Sequence, residues 1–449
     1  MFRSIVSNKV GKNLGYIIEG DDDFFLHPSK TLNDYTMLVL LITIQRPSKE
    51  GFDIVIGNPP YINIERIENH TKKLLFQLFS TCKGRTDVYV AFMENALQLL
   101  SKCGICSFII PYAFTNQNYG EPMRRFLLDK YSVDEILDTS GYYVFDNASV
   151  KNIIIRLSNN SGHSTAIKIA RRAENFEMLD FESRTIDPRK FSLLKNCRFE
   201  TKDFEPILRI KHHVENRSCP LGKIFFVGYG VRVNHKTDST KPKSFYVHAN
   251  RDGDYKPFTE GKNIERFVFS QYGWLNYQPT EHYNPMFPEL FENEKIMFIR
   301  VVSQRLRFAY DTANFYNSHT VINCVKLDKL KYARHLSAKR AIVNGDIVLA
   351  KTYSTKFILG VLNSTLINWY FFKFLSDGIN FFPDDAKSLP IPTASPARQA
   401  EVISLVDTIL AAKKFNPQAE TSALESQIDQ LVYSLYNLTE DEIKTVESI

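Results

Sequence analysis

The first third of the chain alternates between short apolar runs and amphipathic stretches. Four runs rich in β-branched residues have the length and composition of strands: residues 52–56, 105–110, 133–137 and 150–157. Three stretches carry apolar side chains at helical spacing: residues 71–80, 86–100 and 120–130. This alternation predicts the second half of a doubly wound α/β domain, in which residues 52–56 form a buried parallel strand.

The first of these runs ends in a stiff polar loop, Asn58-Pro59-Pro60-Tyr61. The two prolines lack backbone donors and hold the loop out of the sheet, at the carboxyl end of a strand, where open α/β sheets bind ligands. The Asn58 side-chain oxygen and the Pro59 carbonyl can accept hydrogen bonds from the exocyclic amine of adenine, and Tyr61 can stack on the base. Two such acceptors direct the nitrogen lone pair toward a methyl donor without a general base. The alternative is a proline-stiffened turn after a core strand.

Residues 52–61 resemble motif IV of the amino-methyltransferases, with Asn58, Pro59, Pro60 and Tyr61 as the catalytic loop. DNA adenine methyltransferases, release-factor glutamine methyltransferases and some ribosomal RNA methyltransferases share this motif, so it implies a chemistry but no substrate. Residues 87–92, 104–111 and 141–150 resemble, in order and spacing, motifs V, VI and VIII of gamma-class, N6-adenine-specific DNA methyltransferases of the TaqI-like and type IIG restriction-modification kind.

This second resemblance implies roles for two more residues. Phe145 corresponds to the aromatic residue that stacks on the far face of the flipped adenine, opposite Tyr61. Phe92 corresponds to the aromatic residue that lies near the adenine of S-adenosylmethionine, and we expect Pro111 and Tyr112 to contact that adenine as well. The glycine-rich turn that such enzymes use for the methionine end is represented only by residues 11–15, which follow no strand. We therefore expect the chain to begin within the methyltransferase domain, to bind S-adenosylmethionine poorly alone, and to depend on an upstream polypeptide for the cofactor half.

The charge of the chain is concentrated in its middle. Residues 1–160 are neutral, residues 161–388 hold 35 Lys and Arg against 24 Asp and Glu, and residues 389–449 hold 4 against 9. Basic and aromatic residues interleave beyond residue 200, a pattern suited to phosphate contacts beside stacking surfaces. A basic middle part predicts a polyanionic partner, and the alternative is a merely solvated basic surface.

Most of residues 205–440 resembles the target-recognition domain that follows the methyltransferase domain in TaqI-like and type IIG enzymes. We expect residues 1–160 to be the methyltransferase part, 161–204 a linker, 205–395 the recognition domain and 396–449 C-terminal helices. Residues 355–375 are apolar all round and predict one buried helix; residues 397–414 and 421–436 predict two amphipathic helices. The basic residues expected to contact DNA are Arg232, Lys262, Arg266, Arg300, Arg305 and Arg307.

The resulting fold class is α/β: a partial Rossmann-like, class I methyltransferase domain, followed by a mixed α+β recognition domain with C-terminal helices. The expected function is transfer of methyl from S-adenosylmethionine to N6 of a flipped adenine in double-stranded DNA, within a restriction-modification system. Sparse cysteines and no long apolar segment favour a cytoplasmic protein without metal or membrane. A catalytically inactive DNA-binding specificity module is the second hypothesis, and a release-factor or ribosomal RNA methyltransferase is the third.

Overall fold

The computed structural model describes residues 51–140, 150–159, 164–170, 181–302, 304–376 and 380–448. The chain divides into two compact units, Met1–Asp203 and Phe204–Ile449. Each unit has its own sheets and its own buried apolar residues, and each is described by itself.

The first unit is built on one six-stranded sheet. Its strands are β1 (Phe52–Gly57), β2 (Leu100–Pro111), β3 (Ser132–Asp138), β4 (Asn152–Ser158), β5 (Thr165–Ala170) and β6 (Phe181–Ile186). The strand order is β1-β2-β4-β3-β5-β6. β1 runs parallel to β2 and β3 parallel to β5, whereas the other neighbours are antiparallel. The sheet is therefore mixed, and the first residues of β4 lie beside the last residues of β2 and β3.

Three helices accompany this sheet: α1 (Asn69–Leu78), α2 (Val88–Gln98) and α3 (Glu121–Lys130). The predicted helices at 71–80, 86–100 and 120–130 are thus present, with ends that differ by a few residues. Nearly every side chain of α2 is buried, including Tyr89, Phe92 and Glu94. The Glu94 carboxylate accepts hydrogen bonds from the backbone and hydroxyl groups of Ser80 and Thr81, which ties the turn after α1 to α2.

The carboxyl ends of β1, β2 and β3 lie at one edge of the sheet, beside the first residue of β4. Gly57 at the end of β1 is level with Phe108, Pro111 at the end of β2 is opposite Asn152, and Asp138 at the end of β3 is opposite Ile153. This edge is where an α/β sheet presents its loops to a ligand. It carries the Asn58–Tyr61 segment.

Two expectations differ from the structure of this unit. β1 pairs in parallel as predicted, but it is an edge strand within the described residues, and its Ile54 and Ile56 side chains are 43% and 47% exposed. Residues 161–204 were expected to be a linker, yet β5 and β6 extend the sheet by two strands. In β5 the side chains of Thr165, Ile167 and Ala170 are buried, so this strand belongs to the core of the unit and not to a linker.

The second unit contains several small sheets. Its strands are β7 (Ser218–Pro220), β8 (Phe225–Tyr229), β9 (Arg232–His235), β10 (Val247–His248), β11 (Lys256–Thr259), β12 (Gly273–Leu275), β13 (His282–Asn284), β14 (Lys295–Ile299), β15 (Phe308–Asp311), β16 (Tyr316–Asn317), β17 (Val321–Lys326) and β18 (Pro390–Pro392). Two four-stranded sheets have the orders β15-β14-β17-β8 and β10-β12-β11-β16. β13 pairs with β9, and β18 with β7.

Most helices of the second unit follow its strand-rich part and begin after residue 335. They are α4 (Glu205–Asn216), α5 (Lys243–Tyr246), α6 (Leu336–Asn344), α7 (Ile347–Thr352), α8 (Thr355–Leu362), α9 (Thr365–Tyr370), α10 (Pro383–Lys387), α11 (Pro396–Phe415), α12 (Ser422–Leu435) and α13 (Glu440–Glu447). α8 packs against α11, and α11 against α12. The predicted helices at 397–414 and 421–436 correspond to α11 and α12, and α13 follows them. The acidic end of the chain therefore packs within this unit.

The apolar stretch at residues 355–375 is buried as predicted but is not one helix. It breaks after α8 because the Asn363 side chain donates to Phe308 O and Ser364 caps α9 through Ile367 N. A π-helical turn, Phe371–Leu375, ends it. Among the described residues no single helix has the length and apolarity needed to cross a membrane, and the only pair that passes together is this one, bent by 59°.

Candidate active site at the strand ends of the first unit

The Asn58–Tyr61 loop is fastened to the start of α2. Val88 N donates to Ile62 O at 2.8 Å, and Ile64 N donates to Thr86 O at 3.0 Å. Pro59 is buried while Asn58 is exposed. Because proline fixes the backbone and α2 holds the following residues, the Asn58 amide projects from a rigid loop at the sheet edge.

The Tyr61 side chain is held at its far end by two hydrogen bonds. Its hydroxyl donates to Ile109 O at 3.0 Å and accepts from Asn152 Nδ2 at 3.1 Å. The pairing of β1 with β2 ends at Gly57 and Phe108. The next carbonyl of β2, Ile109 O, therefore has no partner from β1, and it accepts a hydrogen bond from the tyrosine hydroxyl in place of a strand partner. Burial raises the pKa of Tyr61, which keeps the hydroxyl protonated and able to donate.

A second ring, Tyr89 of α2, stands edge-on to Tyr61. Their centroids are 6.0 Å apart at an interplanar angle of 78°. The Tyr89 hydroxyl is 2.9 Å from that of Tyr119, and burial raises the pKa of Asp87, which hydrogen-bonds to Tyr119. Tyr89 and Tyr119 therefore form a packed aromatic wall behind the loop, in which the two tyrosine hydroxyls are hydrogen-bonded to each other.

The wall is completed by Arg124 of α3, which is fully buried. Its guanidinium donates to the carbonyl oxygens of Phe114, Gln117, Asn196 and Cys197. Burial lowers the pKa of Arg124 to about 10, so it remains charged at neutral pH. Arg124 thus joins the loops after β2 to the residues that follow β6, and makes this edge of the sheet rigid.

The residues expected to contact a cofactor lie in part at this edge. Pro111 ends β2 and Tyr112, half-buried, begins the turn after it; burial raises the pKa of Tyr112. Phe92 is buried on α2 and presents little surface to a ligand. Phe145 and the glycine-containing stretch 11–15 lie outside the described residues. No group of three or more His, Cys, Asp or Glu in the described part of the chain is arranged to hold a metal ion.

Sequence reasoning missed Asn152, the first residue of β4. Its side chain is 1% exposed, its Nδ2 bonds to Tyr61, and its Oδ1 has no hydrogen-bond partner although it is buried. An asparagine before an isoleucine-rich strand was the available signal. Its role depends on β4 lying antiparallel beside β2, which the local sequence does not encode.

The basic residues expected to contact DNA are divided by the structure. Lys262 and Arg307 line one cleft of the second unit, together with Ile299 and Val301, the neighbours of Arg300. Arg232 lies 4.2 Å from the Tyr283 ring. Arg305 and Arg266 are elsewhere: Arg305 donates to Thr365 Oγ1 at 3.3 Å, and Arg266 forms a largely buried ion pair with Glu425 and donates to Asn363 O.

Comparison with known families finds matches in two separate parts of the chain. Residues 12–145 match the Eco57I restriction-modification methylase, and residues 256–391 match the TaqI-like C-terminal specificity domain. The chain therefore carries an Eco57I-type methylase segment followed by a TaqI-like specificity domain, the arrangement of type IIG enzymes. The resemblance drawn from the sequence motifs is confirmed at this level.

The chain is similar to several type II enzymes. It is 38% identical over 96 residues to Type II methyltransferase M.BstVI of Geobacillus stearothermophilus, covering 21% of this chain and 17% of the relative. It is 23% identical over 414 residues to putative type II restriction enzyme and methyltransferase RM.MjaORFECS2P of Methanocaldococcus jannaschii, covering 86% of this chain and 31% of the relative. The chain thus spans less than a third of the length of either relative.

One similar solved structure is the type IIL restriction-modification enzyme MmeI in complex with DNA. The match covers 88% of this chain and 57% of that one, at 12% identity and a TM-score of 0.46.

Proposed function

We propose that the chain takes part in N6-methylation of adenine in double-stranded DNA, with Asn58 and Pro59 as acceptors for the target amine and Tyr61 as the ring beneath the base. The observation that carries the proposal is the fixed geometry of the loop. Tyr61 is pinned by Ile109 O and Asn152 Nδ2 beside an exposed Asn58, at the edge of the sheet where ligands bind.

The chemistry follows from the groups present. Two oxygen acceptors at the exocyclic amine stabilise the positive charge that develops on nitrogen when the methyl group arrives, and they need no proton-accepting base. Flipping a base out of the duplex costs roughly a few kcal/mol, and stacking of the flipped base on the Tyr61 ring offsets part of that cost. Phe145 is proposed as the second ring, on the resemblance alone.

S-adenosylmethionine supplies the methyl group in such a reaction. Of the described residues, Pro111 and Tyr112 fit a wall for its adenine, because they lie at the same sheet edge as the Asn58–Tyr61 loop. No described residue of the first unit is assigned to its ribose or methionine end. We propose that those contacts come from residues outside the described part or from an upstream polypeptide.

The test has two arms: the purified full chain with unmethylated plasmid DNA and S-adenosylmethionine, and cells that express the chain together with the neighbouring reading frames. In both arms modified nucleosides are identified by mass spectrometry. N6-methyladenine is expected in the cells that express the neighbouring reading frames. Asn58→Ala should abolish it there while DNA affinity stays within about twofold, because the amide is proposed to contact the base and no phosphate. The matched control is Asn116→Ala, a half-buried asparagine on the loop after β2 whose side chain bonds only to exposed Gln117 among the described contacts. Methylation that survives Asn58→Ala, or that falls on cytosine, would refute the assignment.

A second candidate function is a DNA-binding specificity module without catalysis. The match of residues 256–391 to a specificity domain favours it, because that match lies outside the residues proposed for methyl transfer. DNA binding without methylation in every one of these conditions would support it over the first.

A further inference from the structure

We propose that a cleft in the second unit, here called the Tyr272 cleft, contacts one nucleotide of the DNA target by stacking its base or sugar on Tyr272 and pairing its phosphates with Lys262 and Arg307. This deepens the proposed function, since it rests on the chain binding DNA. The cleft has a volume of about 470 Å³, and its lining includes Lys243, Glu260, Lys262, Tyr272, Val301 and Arg307. A volume of this order suits a ligand of nucleotide size.

The cleft is formed where several strands of the second unit end. Tyr272 immediately precedes β12, and its backbone N donates to Phe258 O of β11 at 2.8 Å. Gly261 N donates to Thr320 Oγ1 at 3.2 Å, which joins the loop after β11 to the loop before β17. The walls are therefore held by sheet and loop hydrogen bonds, so the cleft is preformed.

Tyr272 is an exposed ring flanked by two ammonium groups. The side chain is 42% exposed, with Lys262 Nζ 4.6 Å and Lys243 Nζ 5.2 Å from the ring centroid. Its inner neighbour is Phe258, with the rings T-shaped at 6.5 Å. An exposed aromatic ring close to cations fits a nucleotide, which has an aromatic face and an anionic backbone.

The cations of the cleft differ in how firmly the protein holds them. Lys243 pairs with Glu260, a buried carboxylate that also accepts from Ser318 Oγ at 2.8 Å. Arg307 pairs only at the surface, with Glu265 at 3.2 Å, and an exposed pair of this kind contributes roughly 0–1 kcal/mol. A phosphate can therefore displace Glu265 from Arg307, whereas Lys243 serves to neutralise Glu260. Lys262 and Arg307 are the two charges offered to DNA.

Further positive charge lies near His319, which precedes Thr320 of the cleft. The pKa of His319 is lowered by partial burial and by the positive charges of Arg232, Arg300 and Lys243, against the opposing effect of Glu260. Val301, next to Arg300, is 57% exposed and adds an apolar surface suited to a deoxyribose or a thymine methyl group. An acidic peptide would use the charges but not the ring or this apolar surface, so DNA is the better match.

The experiment measures binding of the full chain to a random-sequence 30-base-pair duplex by fluorescence anisotropy at several salt concentrations. Lys262→Gln and Arg307→Gln should each lower the slope of log K against log salt by about 0.9, the value for one lost phosphate contact. Tyr272→Leu should weaken binding by about fivefold, the lower end of the range for aromatic stacking, with an unchanged slope, because an intact duplex offers the ring a sugar more readily than a base. Tyr272→Phe should bind like the wild type.

A matched pair elsewhere in the same unit provides the control. Lys331 lies 5.3 Å from the ring of Tyr332, which is 85% exposed, so Lys331→Gln and Tyr332→Leu remove the same groups from a surface outside the cleft. These variants should leave both affinity and slope unchanged. Circular dichroism confirms that each variant is folded before its binding is compared.

The outcomes separate this inference from the proposed function. If the wild type binds DNA and the cleft variants behave like the Lys331 and Tyr332 controls, the Tyr272 cleft is not a contact site, while the methylation proposal stands. Equal loss in cleft and control variants would also overturn the cleft, because it would show a diffuse basic surface. Absence of wild-type binding at low salt would overturn both.

Discussion

Replacing Tyr61 by phenylalanine tests whether the candidate active site is organised by the tyrosine hydroxyl. The substitution keeps the ring and removes one oxygen that donates to Ile109 O and accepts from Asn152 Nδ2. Asn152 is fully buried, and its Oδ1 already lacks a hydrogen-bond partner. After the substitution its Nδ2 keeps only the long contact of 3.5 Å to Ile110 O.

The magnitude follows from the cost of unpaired buried groups. Leaving a buried donor or acceptor unsatisfied costs about 1–3 kcal/mol, and the variant affects one donor that is fully buried and one carbonyl that is partly buried. We therefore expect a local destabilisation of about 1–3 kcal/mol, concentrated where β1, β2 and β4 meet. The other strands of the sheet are less affected because their hydrogen bonds are unchanged.

Native-state hydrogen exchange, read by mass spectrometry of peptides, measures this locally. Protection of the peptides at the end of β2 and the start of β4 should fall about 5- to 150-fold in Tyr61→Phe. The control is Tyr332→Phe, which removes the hydroxyl of a highly exposed tyrosine and should change nothing. Protection in Tyr61→Phe that stays within twofold of the wild type would refute the claim that this hydroxyl holds the site together.

Three further predictions concern stability and the cofactor. Asp311→Asn should destabilise the second unit by about 3–5 kcal/mol in urea unfolding, because it leaves the ammonium of Lys295 buried without its counter-charge; an effect below 1 kcal/mol would contradict this. His282 accepts a hydrogen bond from Gln278 N and contacts Val233 O, and burial lowers its pKa below the usual 6.5. The free energy of unfolding should therefore be at its full value above pH 6.5 and should fall by up to about 1.4 kcal/mol per pH unit below it. His282→Gln should flatten this pH dependence in unfolding followed by tryptophan fluorescence. Calorimetric titration of S-adenosylmethionine into the chain alone should show no saturable binding at micromolar concentration, and clear binding would show that residues outside the described part complete the site.

The parts of the site that the sequence predicts are those determined by local chemistry. Two consecutive prolines fix the backbone wherever they occur, so the Asn58–Tyr61 loop and its place after a strand follow from ten residues. Asn152 contacts Tyr61 from 91 positions away, through an antiparallel strand whose neighbour is set by the whole sheet. Arg266 is a similar case, because its partner Glu425 lies in a helix far along the chain, and the local basic and aromatic pattern gave no sign of it.

The differences in secondary structure have the same origin. Residues 355–375 have helical periodicity and bury almost every side chain, yet Asn363 and Ser364 end one helix and begin another, since their side chains bond to Phe308 and to the backbone of the next turn. β6 has apolar side chains only at its two ends, Phe181 and Ile186, so its sequence does not predict a strand on its own. It forms a strand because β5, which extends β3, offers it a hydrogen-bonding edge.

The proposed chemistry gives a reason for the buried polar contacts around Tyr61. A ring stabilises a flipped base best when it is already held in its stacking position. A ring that loses motion on binding pays an entropy cost, and that cost reduces the energy that offsets unstacking of the base. A phenylalanine at this position would stack equally well but would be free to turn about its side-chain bonds. The hydroxyl, fixed between the ends of β2 and β4 and supported by Tyr89, removes that freedom before DNA arrives. On this argument Tyr61→Phe should weaken base flipping, measured by 2-aminopurine fluorescence, more than it weakens DNA binding.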